Sequence, residues 1–289
     1  MLRKRLYRIN QKTEKTRRKE KSRPISGNWI IREKMEKDKI RFGHDFLKML
    51  GRTRLRPGGG IMTDWLLNQV QIDKDMHVLE VACNRGDNLI RTYTKYKCKI
   101  VGIDNDQIAV EQAKENIKIL DLDKEIEVKN MDALKLDFED ETFDLIINEA
   151  MLTMLPNEEK AKALKNYYRV LKKGGYLLTH DVAVKNGKLP FEAIIRQLSK
   201  FANMKVYPLT VENWNKLFIE NSFRPFAQRT GRMILLDRDT IIKDEGPIGA
   251  ANFYKNAYAE GNRDRFTKML ERSKSTKISY IVLASKKEN

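Results

Sequence analysis

The chain has 289 residues, 41% of them hydrophobic, and a formal net charge of +17. That length and apolar fraction suit one large α/β domain with a sizeable core. No apolar run approaches the roughly 18 to 20 residues of a membrane span, the N-terminus lacks a secretory signal's apolar segment, and Cys83 and Cys98 make neither a disulfide framework nor a metal-ligand spacing; the simplest reading is a cytoplasmic protein that holds no metal.

Residues 1–34 carry 13 Lys/Arg against 3 Asp/Glu, a net +10 that leaves +7 for the rest. They show no apolar periodicity, so they are predicted to be a basic, disordered tail or a weak helix. Three readings stand: an arm for nucleic acid or another anionic surface, which is not favoured, a solvated tail, or a segment upstream of a start at Met35. Residues 35–76 are predicted to form N-terminal helices and a glycine-rich loop. Phe42, Phe46, Met49 and Leu50 recur at helical spacing. Pro57-Gly58-Gly59-Gly60 is expected to break any helix, either as a lid hinge or as an ordinary loop. A second helix is expected over 63–69.

Strands and helices then alternate through 77–184. Strands are predicted at 77–83, 99–104, 125–130, 143–148 and 176–184, the fourth nearly all apolar, as a strand covered on both faces should be. Helices are predicted at 88–96, at 158–171 and after Asp106, a candidate cap for a helix whose Ala109, Ala113, Ile117 and Leu120 share a face. This repetition argues a doubly wound, mostly parallel sheet. Residues 185–274 are read as a cap with helices at 191–201, 211–220, 246–261 and 263–272 and a strand at 233–236. Residues 275–289 supply a final strand, strongest at 278–284.

The residues that carry chemistry follow the strands. After the first comes Glu80-Val81-Ala82-Cys83-Asn84-Arg85-Gly86. Strand, tight loop and helix start in that order offer backbone N–H groups to a nucleotide-like ligand. Asp104 ends the second strand, 24 positions after Glu80. Asn130-Met131-Asp132-Ala133 follows the third, and Asn148-Glu149-Ala150 ends the fourth. Arg169-Val170-Leu171-Lys172-Lys173-Gly174-Gly175-Tyr176-Leu177 links a helix to the fifth.

Together these resemble class I S-adenosylmethionine-dependent methyltransferases, over residues 77–184 and the final strand. The first loop has the spacing of that family's Glu/Asp-x-Gly-x-Gly-x-Gly element. Ala82 and Asn84 replace two of its glycines; alanine is nearly as small, and asparagine tolerates positive φ better than other non-glycine residues. The resemblance implies a Rossmann-like, seven-stranded, mostly parallel sheet with helices on both faces. It implies S-adenosyl-L-methionine as cofactor and S-adenosyl-L-homocysteine as product. Glu80, Ala82, Cys83, Asn84, Gly86, Asp104, Asn105, Asp132, Ala133, Asn148 and Glu149 would surround it, with Asp104 on the ribose hydroxyls and Asp132 near adenine. His180 and Asp181, at the fifth strand's end, are the candidates for a general base, should the acceptor need one.

The activity implied is methyl transfer by in-line displacement to a nitrogen, oxygen or carbon atom of a small molecule. Two alternatives stand beside it: an RNA or protein methyltransferase using the basic tail, and a non-catalytic cofactor-binding module. Asn148-Glu149-Ala150-Met151 lacks the Asn/Asp-Pro-Pro-Tyr/Phe element of enzymes that methylate base amino groups. Leu209-Thr210-Val211-Glu212-Asn213-Trp214 resembles a helix start in methyltransferases acting on quinones, sterols and phosphoethanolamine. The aromatic residues of 189–260 either line a substrate pocket or form the cap's own core.

Overall fold

In chain order a computed structural model, which describes residues 43–185, 191–274 and 277–288, runs α1 (Gly43–Leu50), α2 (Gly59–Leu67), β1 (His77–Val81), α3 (Asp87–Tyr96), β2 (Lys99–Asp104), α4 (Gln107–Ile119), β3 (Ile126–Asn130) and β4 (Phe143–Glu149). A short 3-10 turn (Leu152–Met154) leads to α5 (Asn157–Val170), β5 (Leu171–Val184), α6 (Phe191–Ala202) and β6 (Leu209–Thr210). Then come α7 (Val211–Glu220), β7 (Phe223–Arg232), α8 (Arg238–Ala257), α9 (Arg263–Ser273) and β8 (Ile278–Lys287). The readings at 1–34 and at Phe42 fall outside the described residues.

The sheet order is β3-β2-β1-β4-β5-β8-β7. The first five strands are parallel; β8 runs antiparallel between β5 and β7. The two residues of β6 add an eighth strand to the expected seven by pairing with the end of β5. Both faces are covered. Leu79, Ile146 and Leu177 pack under Ala163, Leu164 and Tyr167 of α5 and under Trp214 and Phe218 of α7. Val78, Leu145 and Leu178 pack under Leu66 of α2, Leu89 of α3 and Val110 of α4. Each such side chain contributes about 1.5–3 kcal/mol by leaving water. Asp106 caps α4, its carboxylate accepting the Ile108 N–H, as the sequence suggests.

The sequence reading needs four corrections. The strand expected at 233–236 lies instead at Phe223–Arg232, and 233–236 is a connection whose Ile234 N–H reaches the Pro57 carbonyl. The glycine run separates α1 from α2 but is itself partly helical: α2 begins at Gly59, and a Cβ on Gly59 or Gly60 would strike Thr240 or Asp244. The helix expected from 246 starts at Arg238 and breaks at Gly246, where φ is 72°. Met49, expected inside with Phe46, is 44% exposed; Leu47 takes its place in the core. The cap aromatics divide: Trp214, Phe218, Phe223 and Phe253 are fully buried in the core, while Phe191, Phe226 and Tyr258 face outward.

Candidate functional site

Chemistry gathers at the C-terminal ends of β1, β2 and β4, where the sheet order reverses between β1 and β4. The loop after β1 steps through the left-handed region at every second residue: Ala82 at φ 56°, Asn84 at 51° and Gly86 at 79°. Ala82 and Asn84 thus hold the backbone shape that glycine would adopt freely, at a cost of roughly 1–2 kcal/mol for the alanine. A Cβ on Gly86 would lie 3.3 Å from the Cβ of Ala113 on α4. The loop is fixed by Asp104: the Asn84 N–H donates to its Oδ2 at 2.8 Å, and the Asp106 N–H to its Oδ1 at 3.0 Å. Each carboxylate oxygen keeps an acceptor site for a ligand hydroxyl.

Around this loop the other expected residues take varied places. Cys83 is buried, and burial pushes its thiol pKa up. Asn105 is exposed beside Asp104. Asp132 is exposed and accepts the Leu134 N–H at 2.8 Å, closing a turn that sets Ala133 half-buried. Asn148 is fully buried; its Oδ1 accepts the Tyr167 hydroxyl at 2.9 Å, and its Nδ2 has no hydrogen-bond partner among the described residues.

Glu80 and Glu149 sit in one charged cluster with opposite outcomes. Glu80 is 3% exposed, receives Asn88 Nδ2 on Oε1 at 3.2 Å, and its Oε2 has no partner among the described residues. Burial, helped by the neighbouring Glu149 charge, outweighs Arg56 and Asn88 and raises its pKa to about 8. Burial pushes Glu149 the same way, but the Arg56 guanidinium, His180 and Thr63 overcome it and hold it at about 2. Arg56 Nε is hydrogen-bonded to its Oε2, while Thr63 Oγ1 donates to Oε1 at 2.5 Å. His180 Nδ1 lies 3.1 Å from the same oxygen, and the Gly58 N–H points at His180 Nε2 at 2.9 Å. A backbone donor on Nε2 makes that nitrogen an acceptor, so the proton resides on Nδ1 and is given to Glu149.

The fully buried His180 therefore has both nitrogens engaged. Asp181 points to the other face of β5, where it takes the Thr153 hydroxyl and N–H. Its pKa is raised by burial, against Thr153, the Val182 N–H and Lys160. Over the cluster lies the segment from Arg52 to Gly60. Arg52, fully buried, reaches Asp244 at 3.2 Å and Glu245 at 2.9 Å, and the Gly60 N–H donates to Asp244 Oδ1 at 3.0 Å. Sequence reasoning missed Arg52, Arg56 and Thr63. Their partners lie 86 to 193 positions away, and no local spacing signals them.

The two carboxyls give a pH signature. A carboxyl whose folded pKa exceeds its unfolded value keeps its proton in the fold after the unfolded chain has lost it. The Glu80 contribution is whole below the ordinary value of 4.5 and is lost as pH rises toward about 8. Glu80→Gln should match the wild-type melting temperature near pH 5 and exceed it increasingly toward pH 8. A constant difference across that range would contradict the assignment. Glu149 behaves oppositely, its contribution being lost as pH falls from 4.5 toward about 2.

The site fits the cofactor that the sequence resemblance implies. A left-handed loop would present backbone to it, Asp104 has spare acceptor sites, and Glu80 Oε2, buried without a partner among the described residues, could receive a cationic donor. Among the described residues, no group of three or more His, Cys, Asp or Glu could hold a metal ion, and no helix is long and apolar enough to cross a membrane.

Comparison with known proteins agrees. A family model described as a methyltransferase domain matches residues 72–235. An uncharacterized protein of Haemophilus influenzae is 42% identical over 255 residues, covering 88% of this chain and all of that one. A demethylmenaquinone methyltransferase of Lactiplantibacillus plantarum is 27% identical over 49% of this chain, which spans 57% of the relative's length. Geranyl diphosphate C-methyltransferase of Streptomyces coelicolor, solved with Mg2+, geranyl diphosphate and S-adenosyl-L-homocysteine, aligns with a TM-score of 0.61 at 12% identity. That alignment covers 79% of this chain and 78% of the other.

Proposed function

Since this chain belongs to the class I S-adenosylmethionine-dependent methyltransferases, we propose that it moves the cofactor's methyl group to a nitrogen, oxygen or carbon atom of a small molecule. The observation that carries the acceptor class is the roof. The Arg52–Gly60 segment, pinned to Asp244 and Glu245, packs on the Glu149 cluster through Arg56 and the Gly58 N–H, and a covered site suits a small molecule better than a polymer. The similarity to a demethylmenaquinone methyltransferase supports the same reading. We place the work in the cytoplasm, where the free thiols of Cys83 and Cys98 stay reduced.

When bound, S-adenosyl-L-methionine supplies an electrophilic methyl on a sulfonium sulfur. The chain's part is to bind, align and exclude water. Asp104 would accept the ribose hydroxyls, and Asp132 and Ala133 would border the adenine. Glu80 Oε2 would accept the ammonium, and Glu149, held ionised, would serve as a fixed counter-charge. His180 fixes the Gly58 backbone over Glu149. Because His180 Nε2 accepts the Gly58 N–H, Glu149 is held at about 2 and so is a weak base, and Asp181 faces Thr153 on the other side of β5, the acceptor arrives as its own nucleophile, an unprotonated amine.

The test is transfer of labelled methyl from the cofactor to a panel of primary amines, thiols and phenols, with an oligoribonucleotide and a basic peptide as controls. Turnover on an amine is expected. Turnover confined to the oligonucleotide or the peptide would overturn the acceptor class, and no turnover on any acceptor despite cofactor binding would favour a binding module.

A further inference from the structure

Helix α8 breaks at Gly246, where φ is 72°, and Pro247 opens its second arm. A straight helix of 20 residues would span about 30 Å, yet both ends of α8 line one cavity of about 740 Å³. Asp237, Arg238 and Asp239 come from the start of the first arm, Tyr254 and Tyr258 from the end of the second. Helix α9 adds Phe266 and Lys274. The described residues that line the cavity include none of the Glu80–Glu149 cluster and none of the Arg52–Gly60 segment. A space of this size holds a small molecule.

The cavity is aromatic inside and charged at its rim. Leu236 and Phe266 are buried and Tyr254 is half-buried, whereas Arg238, Asp239 and Lys274 are exposed. The Tyr254 and Tyr258 rings lie 14° from parallel with centroids 6.2 Å apart, and Phe266 meets Tyr258 edge-on at 5.4 Å and 89°. Rings locked in this way offer flat apolar surface that needs little further ordering on binding. On the rim, Arg232 and Asp237 neutralise each other. Arg238 and Lys274 form no ion pair among the described residues, and of the lining carboxylates only Asp239 is likewise unpaired among them. The excess is one positive charge. Burial and Tyr258 raise the Tyr254 pKa and Arg238 opposes them, so the guanidinium stands close to the aromatic surface.

We propose that this cavity is a second ligand site, apart from the methyl-transfer site, for a planar aromatic molecule that bears a carboxylate. The ring stacks on the tyrosines, and the carboxylate meets Arg238 and Lys274 at the rim. A planar guanidinium matches a carboxylate in bidentate geometry. The site does not depend on the methyltransferase reading.

Titration calorimetry of the full chain with three probes tests this: 2-naphthoate, its neutral amide, and 2-naphthylmethylammonium. One-to-one binding of 2-naphthoate is expected, with the amide weaker by about tenfold and the ammonium weaker still. Arg238→Gln, an exposed change, should cost 2-naphthoate about tenfold and leave the amide unchanged, and Arg238→Lys should recover part of the loss. Tyr258→Leu keeps apolar bulk but removes the ring, and should weaken 2-naphthoate and the amide alike. Saturating S-adenosyl-L-homocysteine should leave 2-naphthoate affinity as it was.

No binding of 2-naphthoate, or the same affinity in Arg238→Gln and Tyr258→Leu as in the wild type, overturns the site. Tightest binding of the ammonium overturns the choice of an anion and makes Asp239 and the rings a cation site. Competition between 2-naphthoate and S-adenosyl-L-homocysteine overturns the separation from the methyl-transfer site.

Discussion

Asp104→Ala is expected to lower affinity for S-adenosyl-L-homocysteine by about a hundredfold, because each charge-assisted hydrogen bond from a ribose hydroxyl is worth roughly 1.5–3 kcal/mol. The substitution also frees the Asn84 and Asp106 N–H groups that the carboxylate now holds. Asn84 then loses the contact that keeps it at φ 51°, and the loop relaxes toward ordinary backbone. Asp104→Asn separates the two effects. It retains one acceptor oxygen for the loop but no charge, so an intermediate loss is expected. Calorimetry on variants with unchanged melting temperatures checks this, and wild-type affinity in Asp104→Ala would remove Asp104 from the site.

Arg52→Met is expected to destabilise the fold by about 3–5 kcal/mol, the usual cost of stranding a buried charge. Arg52 is fully buried, and its loss leaves Asp244 and Glu245 together without their cation. In a domain of this size that is a fall in melting temperature of roughly 10 °C. The roof should loosen with it, since the Leu235 carbonyl and Thr53 are tied into the same knot. Arg52→Met combined with Asp244→Asn and Glu245→Gln should recover most of the loss. A single variant that melts like the wild type would show that the latch is not what holds the roof.

The parallel half of the sheet is legible because its strands are buried on both faces and read as unbroken apolar runs between caps. The loop after β1 is legible for another reason: Ala82, Asn84 and Gly86 fall at every second position, and the backbone turns left-handed at those three positions. Strand β7 is not legible. It is an edge strand with polar and exposed residues, Arg224, Gln228, Arg229 and Thr230 among them, interrupted by Pro225. The neighbouring apolar run Met233-Ile234-Leu235-Leu236 imitates a strand better than the strand does. Its hydrophobicity serves a different purpose: Met233, Leu235 and Leu236 are buried, and the Ile234 N–H ties the run to the Pro57 carbonyl.

The site divides the same way. Asp104 ends β2, Glu80 is the last residue but one of β1, and both announce themselves by position. The partners of Glu149 do not: Arg56 reaches it across 93 residues of sequence, and Thr63 across 86. Only the fold brings the glycine-rich segment down onto His180, and only there does the Gly58 N–H choose the histidine's tautomer.

The most direct test of the whole arrangement is titration of the full chain with S-adenosyl-L-homocysteine near pH 7 in buffers of different ionisation enthalpy. The cofactor's ammonium placed on Glu80 favours its charged form, so binding should be one-to-one and should release up to one proton, a release that Glu80→Gln abolishes. A protein that melts cooperatively yet takes up no S-adenosyl-L-homocysteine, or binds it with the same proton balance in Glu80→Gln, would contradict this account of the site.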